Sequence, residues 1–359
     1  MNVILIRYKC FILFSNIFKN LSIITILKRS LKENKILLDQ LKRKFNISCQ
    51  IINIYSVLYD FARNGNFKPK FKIIKNEIFN FTNEKGICIC SIGKNENLYI
   101  KEFIDYYISL GVKKVIIFDN NDINSENFKE IIQKYYSSKK VDIIDVRGMT
   151  SIQIPIYNYC YQNNYNLYDW IGLIDIDEFI YIKKKQNINS YFYNKRFRKC
   201  ELVFLNWITY NDNNLIKYDN RTLNERFKNP KKQFIQGKSF VRGGIKNLLI
   251  PTSHIPGINV HYFCNSRGER IYPANFFNYK IESRPLAYIK HFYTKTVEEF
   301  CQKIIRGHAH YHKDHPYYFK SIKSKINLFF KLNEISEIKV KIIENCTGMN
   351  LTYLKINKL

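Results

Sequence analysis

The chain has 359 residues, 46% hydrophobic and 16% aromatic, so it can bury a large core and is not globally disordered. Its formal net charge is +28, which raises the question of a nucleic-acid partner. However, 44 of the 58 basic residues are lysines spread along the whole chain, whereas proteins that read bases tend to cluster arginine. We therefore expect no specific nucleic-acid partner. The basic surface should instead favour anionic membranes, lipid diphosphates or anionic glycans.

The first 85 residues are predicted to form a helical extension and linker. Residues 10–27 are largely apolar, but Lys19 interrupts them, and a charge near the middle of a membrane span costs about 2.5–3.5 kcal/mol. Basic residues flank this stretch on both sides. Two interpretations stay open, an amphipathic helix on a membrane surface and a helix packed against the protein.

Nine cysteines, an odd number, are scattered without the spacing of a zinc site. This distribution indicates buried free thiols in a reducing cytoplasm. It predicts a cytoplasmic protein, and the interpretation of the N-terminal stretch as a surface helix would place it in peripheral contact with the inner face of the plasma membrane.

From Gly86 onward the pattern is that of an α/β domain. Short apolar runs predict strands at 87–92, 115–118, 141–146 and 170–174, and they alternate with predicted helices at 97–110, 126–136 and 152–162. This alternation predicts a Rossmann-like, mostly parallel sheet flanked by helices. Shorter strands follow at 202–208, 239–241 and 258–263, and helices are predicted from Val297 to the end. We expect one catalytic domain at 86–315 and a helical tail at 316–359.

Polar residues follow each of these strands, where α/β sheets bind their ligands. Asn95 and Glu96 follow the first strand and Asp119 the second, and Asp175 and Asp177 follow the fourth. Two carboxylates two residues apart, directly after a buried strand, can turn toward one point beyond the sheet. Together with a diphosphate they would offer the oxygen ligands that Mg²⁺ or Mn²⁺ prefers.

These segments carry a resemblance to a known group. The segment Lys94-Asn95-Glu96, a helix ending at Gly111, and the strand 115–118 with Asp119 resemble the opening of GT-A-fold glycosyltransferases of the family 2 and family 92 (DUF23-like) type. Residues 170–179 resemble that group's Trp-x-x-x-x-Asp-x-Asp-Glu-Phe segment, and later motifs at 206–207, 238–239, 260–262 and 291–307 follow in the same order. Where the group has Arg-Asn-Glu, this chain has Lys94. The resemblance covers roughly residues 86–310.

The resemblance implies roles for particular residues. Those implied to bind the nucleotide-sugar donor are Asn95, Glu96, Asp119, Asp175 and Lys295. Those implied to bind a Mn²⁺ or Mg²⁺ ion are Asp175, Asp177 and His291. Such an ion would stabilise negative charge on the departing nucleoside diphosphate.

An inverting transfer, which we predict here, needs a general base near the acceptor hydroxyl. Asp212 and Glu225 are the predicted catalytic residues by position, although the chain departs from the family's small residues around Asp212. A retaining enzyme would need neither. Trp207, which ends a predicted strand, is the aromatic residue we expect to stack on sugar.

A second cluster packs four of the seven histidines into residues 308–315. Alternating histidines could bind Zn²⁺ or Ni²⁺. No partner ligands stand upstream, so a loop at the rim of the site, contacting acceptor, is the favoured interpretation.

The sequence thus predicts a metal-dependent, hexosyltransferase-like glycosyltransferase. We expect it to move a sugar from a nucleotide-sugar donor to a glycan or lipid-linked acceptor, in bacterial surface polysaccharide or lipopolysaccharide biosynthesis. The alternative is a non-catalytic basic protein that binds nucleic acid or anionic membrane, with no need for Asp175 or Asp177. A metal-dependent phosphodiesterase is a third interpretation, but it would need more carboxylates and histidines around this pair than the fourth strand supplies.

Overall fold

A computed structural model describes residues 84–351, apart from 126, 134–138, 150–151, 186, 247, 249, 251, 253, 255–259, 273–279 and 308–317. The described chain forms a ten-stranded sheet with helices packed against it. The main run of strands has the order β3-β2-β1-β4-β7-β6-β10-β5, with β8 beside β6 and β9 beside β8.

The first half of the sheet is parallel. Its strands are β1 (Ile87–Gly93), β2 (Lys114–Asp119), β3 (Val141–Asp145) and β4 (Trp170–Leu173). All residues of β4 and nearly all of β1 and β2 are buried, as expected for strands covered on both faces. Gly93 pairs with Asp119 at the ends of β1 and β2, so the polar residues that follow these strands emerge at one edge. This confirms the predicted α/β, GT-A-like arrangement.

The second half of the sheet mixes directions. It contains β5 (Glu178–Ile182), β6 (Leu202–Tyr210), β7 (Pro230–Arg242), β8 (Phe263–Cys264), β9 (Arg270–Ile271) and β10 (Ala287–His291). The strand β7 is antiparallel to both β4 and β6, whereas β10 runs parallel to β6 and antiparallel to β5. The parallel pairing predicted for the sheet therefore dominates its first half, and antiparallel pairs join it to the rest.

Eight helices accompany the sheet in the described part of the chain. They are α1 (Ile100–Ser109), α2 (Phe128–Ile131), α3 (Gln153–Asn164), α4 (Ile188–Phe192), α5 (Leu223–Arg226), α6 (Val297–Ile305), α7 (Tyr318–Leu332) and α8 (Glu337–Thr347). The helix α6 begins with a capping box, in which Thr296 and Glu299 satisfy each other's backbone amides. Two short 3₁₀ turns lie at Lys183–Lys185 and Lys195–Phe197.

The helices α6, α7 and α8 share a hydrophobic cluster of their own. Phe300 of α6 packs on Phe329 of α7 with ring centroids 4.4 Å apart, and Val340 and Ile343 of α8 complete the cluster. The described part of the tail predicted at 316–359 contains the two helices α7 and α8, which bury apolar surface against the helix that follows β10.

One prediction about the cysteines is wrong. Cys200 and Cys264 form a disulfide, because β6 and β8 lie side by side and bring the two thiols together. The cysteines Cys88, Cys90 and Cys160 are free and buried, as predicted.

The predicted helices at residues 1–64 and the histidine cluster at 308–315 lie outside the described residues. No helix in the described part of the chain is both long and apolar enough to cross a membrane.

Candidate functional site

A tight turn after β4 places three acidic residues at the edge of the sheet. Glu178 N donates to Asp175 O at 3.0 Å, and the chain then reverses into β5. Gly93 at the end of β1 makes room for this turn, because a Cβ there would collide with Ile176. Phe292 N donates to Asp177 O at 3.0 Å, which ties the turn to the end of β10. The segment 175–178 is therefore held by its contacts with the ends of β1 and β10 and by its continuation into β5.

The pairing of β5 with β10 places Glu178 directly opposite His291. His291 Nε2 lies 3.8 Å from Asp177 Oδ1 and 4.0 Å from Glu178 Oε1, and all three side chains are buried. Among the described residues, these three form the group of His, Cys, Asp and Glu side chains that could hold a metal ion. Two ligand atoms each about 2.1 Å from one ion can stand up to about 4.2 Å apart, so these two separations fit.

The protonation chemistry of this group also fits a cation. Burial lowers the pKa of His291 to about 3, so its ring is neutral and can ligate. Burial raises the pKa of Asp177, but the cations Lys303 and Lys295 outweigh it and hold that pKa well below its usual range. Burial raises the pKa of Glu178 well above its usual range, which favours the neutral acid, so a cation that binds there would displace this proton. Its Oε1 is buried without a hydrogen bond within the described structure. The two carboxylates suit Mn²⁺ or Mg²⁺, and the neutral imidazole can add a nitrogen ligand.

Asp175, predicted as a metal ligand, has other partners here. Its Oδ2 accepts from Lys238 Nζ at 2.8 Å, and its Oδ1 accepts from Tyr157 OH at 2.8 Å and Gln153 Nε2 at 3.1 Å. Burial raises its pKa, but Lys238 outweighs that and the net pKa lies below the usual value. With both oxygens engaged, Asp175 fixes Lys238 and α3 beside the site, and Glu178 takes the place in the ligand group that was predicted for Asp175.

Two cations border Asp177 from the α6 side, and a third, Arg306, pairs with the neighbouring Glu96. Lys303 Nζ lies 2.9 Å and Lys295 Nζ 3.6 Å from Asp177 Oδ2, and Lys295 also lies 3.0 Å from Glu96 Oε2. Arg306 donates to Glu96 Oε1. Lys303 and Arg306 are three residues apart, so they lie on one face of α6. The predicted donor residues Glu96 and Lys295 therefore form an ion pair, and Lys295 links it to Asp177.

The other predicted donor residues lie at the ends of β1 and β2. Asn95 has a left-handed backbone (φ 52°), and its N–H donates to Asn121 Oδ1 at 2.6 Å. Asp119 Oδ1 accepts from Asn121 N at 3.0 Å and its Oδ2 from Phe128 N at 2.8 Å. Asp119 thus shapes the loop through backbone amides, and burial raises its pKa.

The two predicted general bases have structural partners. Asp212 is fully buried, its Oδ2 lies 2.8 Å from Lys339 Nζ of α8, and its backbone N–H donates to Asn333 Oδ1 at 2.6 Å. Glu225 is exposed and closes the capping box of α5 by accepting from Thr222. The structure therefore gives both carboxylates folding roles, and their assignment as bases stays a prediction.

Trp207 lies beside the candidate metal ligands. Its ring centroid is 4.4 Å from that of His291 and 5.1 Å from that of His254. The pairing of Trp207 with Ile289, two residues before His291 on β10, accounts for this contact. Trp207 is partly exposed, so it offers an aromatic surface next to the site that a sugar could cover.

Sequence reasoning assigned no role to Glu178, Lys238, Lys303 or Arg306. All four stand within or beside the motifs that carry the family resemblance, so the motifs located them. Their roles depend on contacts such as the one between Lys238 and Asp175, which are 63 residues apart in the chain.

Comparison with known proteins identifies the family. The model of glycosyltransferase family 92 matches residues 84–358, beyond the stretch that carries the resemblance. A glycosyltransferase family 92 protein of Ricinus communis is 26% identical over 104 residues, and one of Oryza sativa subsp. japonica is 25% identical over 105. Each match covers 29% of this chain and 18% of the relative, so this chain matches less than a fifth of these plant proteins.

Two solved structures are similar at 10% sequence identity. One is S. aureus TarS 1-349 in complex with UDP, with a TM-score of 0.36, covering 73% of this chain and 70% of that one. The other is the mannosyltransferase PcManGT from Pyrobaculum calidifontis in complex with GDP-Man and Mn²⁺, with a TM-score of 0.27, covering 49% and 47%. Both TM-scores are below 0.5, so these likenesses support no statement about substrates. The family match covers most of the chain, and the protein belongs to glycosyltransferase family 92.

Proposed function

We propose that this protein transfers a sugar from a nucleotide-sugar donor to a glycan or lipid-linked acceptor, with a Mn²⁺ or Mg²⁺ ion at Asp177, Glu178 and His291. The observation that carries the proposal is the convergence of these three buried side chains at the sheet edge, with cations beside them. The bound ion would stabilise the negative charge of the leaving diphosphate.

Residues within α6 and at its two ends would hold the diphosphate. Lys295, Lys303 and Arg306 border Asp177 and Glu96 from one side, so the site presents positive charge where a phosphate group would lie. Fixed cations in a buried site stabilise developing negative charge without having to reorganise. Asn95 and Asp119, at the ends of neighbouring strands, would then face the nucleoside.

Trp207 would hold the acceptor sugar. Its ring packs on His291, so a sugar stacked on it would lie next to the donor's reacting carbon. We further propose an inverting reaction. Asp212 and Glu225 are the bases predicted by position, but their contacts with Lys339 and Thr222 lead us to expect that neither acts as the base.

The proposed context is bacterial surface polysaccharide or lipopolysaccharide assembly, with peripheral membrane contact supported by the net charge of +28. The curated relatives described above are plant proteins. A cytoplasmic location stays a prediction, and the Cys200–Cys264 disulfide weighs against it because disulfides persist in oxidising compartments.

A donor-hydrolysis screen tests the proposal. Purified protein is incubated with UDP-, GDP- and CDP-sugars in Mn²⁺, Mg²⁺ or EDTA, and released nucleoside diphosphate is measured. We expect release from one donor class, dependent on the divalent ion, and at least about 100-fold slower release with Asp177→Asn. Asp142→Asn is the matched control, because that carboxylate is exposed on β3 and pairs with Lys114. Release that is equal in both variants would refute the site assignment.

A further inference from the structure

A basic pocket lies apart from the proposed donor site. It has a volume of about 390 Å³ and is lined by Lys195, Arg196, Arg198, Lys199, Tyr262 and Gly268. Volumes of this size are typical of sites for small ligands. We propose that this pocket binds a phosphate-bearing anion, either a small soluble phosphate compound or a lipid headgroup.

Four cations line this pocket without carboxylate partners. Lys195, Arg198 and Lys199 are exposed, and within the described part of the chain none of the four basic side chains forms an ion pair. The nearby acidic residues are engaged elsewhere: Glu201 accepts from the backbone of His261 and Tyr262, and Glu269 pairs with Arg267. Cations crowded into one concavity repel each other, so an anion there would be stabilised.

The guanidinium group of the lining residue Arg196 keeps an unused donor, and so does that of Arg270, which packs behind the lining residue Tyr262. Arg196 stacks on Tyr191 and Phe197, and Arg270 lies 4.8 Å from the centre of the Tyr262 ring. The Nε atoms of Arg196 and Arg270 are both buried without a hydrogen bond to any described residue. Buried donors normally find partners, and guanidinium donors match phosphate oxygens in pairs.

The walls of the pocket are fixed in place. Gly268 has φ 79°, and a Cβ there would lie 2.6 Å from Arg196 O, so the turn at Gly268 packs directly on the 3₁₀ turn at Lys195–Phe197. The Cys200–Cys264 disulfide joins the same two segments next to the pocket. A site that is rigid before binding loses less entropy when a ligand arrives.

The position separates this pocket from the donor site. Lys199 lies three residues before β6 begins, whereas Trp207 in the second half of β6 contacts His291. At about 3.3 Å per residue, the five-residue path from Leu202 to Trp207 alone covers about 16 Å. The pocket also lies at the end of the sheet where β1 begins, because Gly86 N donates to Tyr193 OH at 2.8 Å. It is therefore not the diphosphate site proposed above, and its test is independent of that proposal.

Residue-resolved lysine acetylation tests the inference. The full chain is labelled with a limiting acylating reagent, alone and with inorganic pyrophosphate, and modification is measured by peptide mass spectrometry. We expect labelling of Lys195 and Lys199 to fall by about threefold or more at saturation. Lys183 and Lys184, which are exposed in the other 3₁₀ turn, serve as internal controls and should not change. The proposal would be overturned if labelling fell equally at all four lysines, or if it fell at none of them.

A variant and a vesicle series complete the test. Arg198→Gln, an exposed change that should leave the fold intact, should weaken protection by pyrophosphate about tenfold. If protection is the same in this variant, the pocket is not the site.

Phosphatidylglycerol vesicles that protect more strongly than pyrophosphate would identify a lipid headgroup as the source, and protection by pyrophosphate alone would identify a soluble one. If phosphatidylcholine vesicles protect the two lysines as well as phosphatidylglycerol vesicles do, the vesicles merely cover the protein surface, and binding of an anionic lipid headgroup is refuted.

Discussion

The Asp212–Lys339 pair explains why one predicted catalytic residue is buried. Both side chains are almost completely excluded from solvent, and the pair joins the loop after β6 to α8. Removing one partner of a buried ion pair costs about 3–5 kcal/mol. We therefore expect Asp212→Asn to lower the free energy of unfolding in urea by about that much. In the temperature range where the variant is folded, kcat should stay within about twofold, whereas loss of a general base costs about 100-fold or more.

Glu225→Gln provides the comparison, since its carboxylate is exposed and caps α5. The free energy of unfolding and the kcat of the Glu225→Gln variant should both change little. A stable Asp212→Asn variant with a kcat reduced 100-fold would show that Asp212 is the base after all.

His254 gives the protein a defined response to acid. Burial lowers the pKa of His254 to about 4, and repulsion from Lys238 adds to this effect. Its Nδ1 contacts Gly237 O at 3.1 Å. Unfolded histidine has a pKa near 6.5, so between about pH 6.5 and 4 the unfolded chain binds more protons, and stability falls as the pH falls. His254→Asn keeps a donor near Nδ1 but does not titrate, so it should remove about 1–3 kcal/mol of this loss. Urea unfolding at pH 6.5 and 4.5 measures it, and an unchanged difference between the two pH values would contradict the assignment. His291 titrates in the same direction and remains in the variant.

The helix α6 carries two of the proposed diphosphate ligands, and α7 and α8 hold it in place. Phe329 of α7 is fully buried against Phe300 of α6. Phe329→Ala should lower the free energy of unfolding by about 3–5 kcal/mol, because it leaves a cavity in this cluster. It should also raise KM for the donor, because Lys303 and Arg306 are no longer held rigidly. Phe319→Ala on the same helix is the control, because Phe319 is 66% exposed and its loss should cost less than about 0.5 kcal/mol. If both variants behave alike, the helices do not form this cluster.

The strands that end at the site differ in how well the sequence predicts them. The bounds of β1, β2 and β4 lie within a few residues of the predicted runs, because each is a short apolar segment between polar turns. By contrast, β7 begins with Pro-Lys-Lys, which is exposed and carries no strand pattern, so only its buried end at 239–241 was predicted. The strand β5 was not predicted, because it begins at Glu178, within the motif at 170–179. Its pairing with β10 places Glu178 opposite His291 across more than 100 residues of chain, and local patterns do not determine such a register.

For the chain as a whole, the Cys200–Cys264 disulfide ties the second half of the sheet together. Sequence spacing did not reveal it, because the two cysteines are 64 residues apart and are joined only by the pairing of β6 with β8. We expect Cys200 and Cys264 to resist alkylation in denaturant until a reductant is added, while Cys88, Cys90 and Cys160 react at once. The double variant Cys200→Ala/Cys264→Ala should unfold about 2–4 kcal/mol more easily. Alkylation of Cys200 without reductant would contradict the assignment.

The central claim is that Asp177, Glu178 and His291 hold a divalent ion to which the donor's diphosphate binds. Calorimetric titration of UDP, GDP and CDP into the purified protein, with Mn²⁺ and with EDTA, tests it most directly. We predict that one nucleotide binds in Mn²⁺, that EDTA weakens this binding by at least about tenfold, and that Asp177→Asn weakens it by about 100-fold while Asp142→Asn leaves it unchanged. Equal nucleotide affinity in Mn²⁺ and EDTA, retained in Asp177→Asn, would contradict the account.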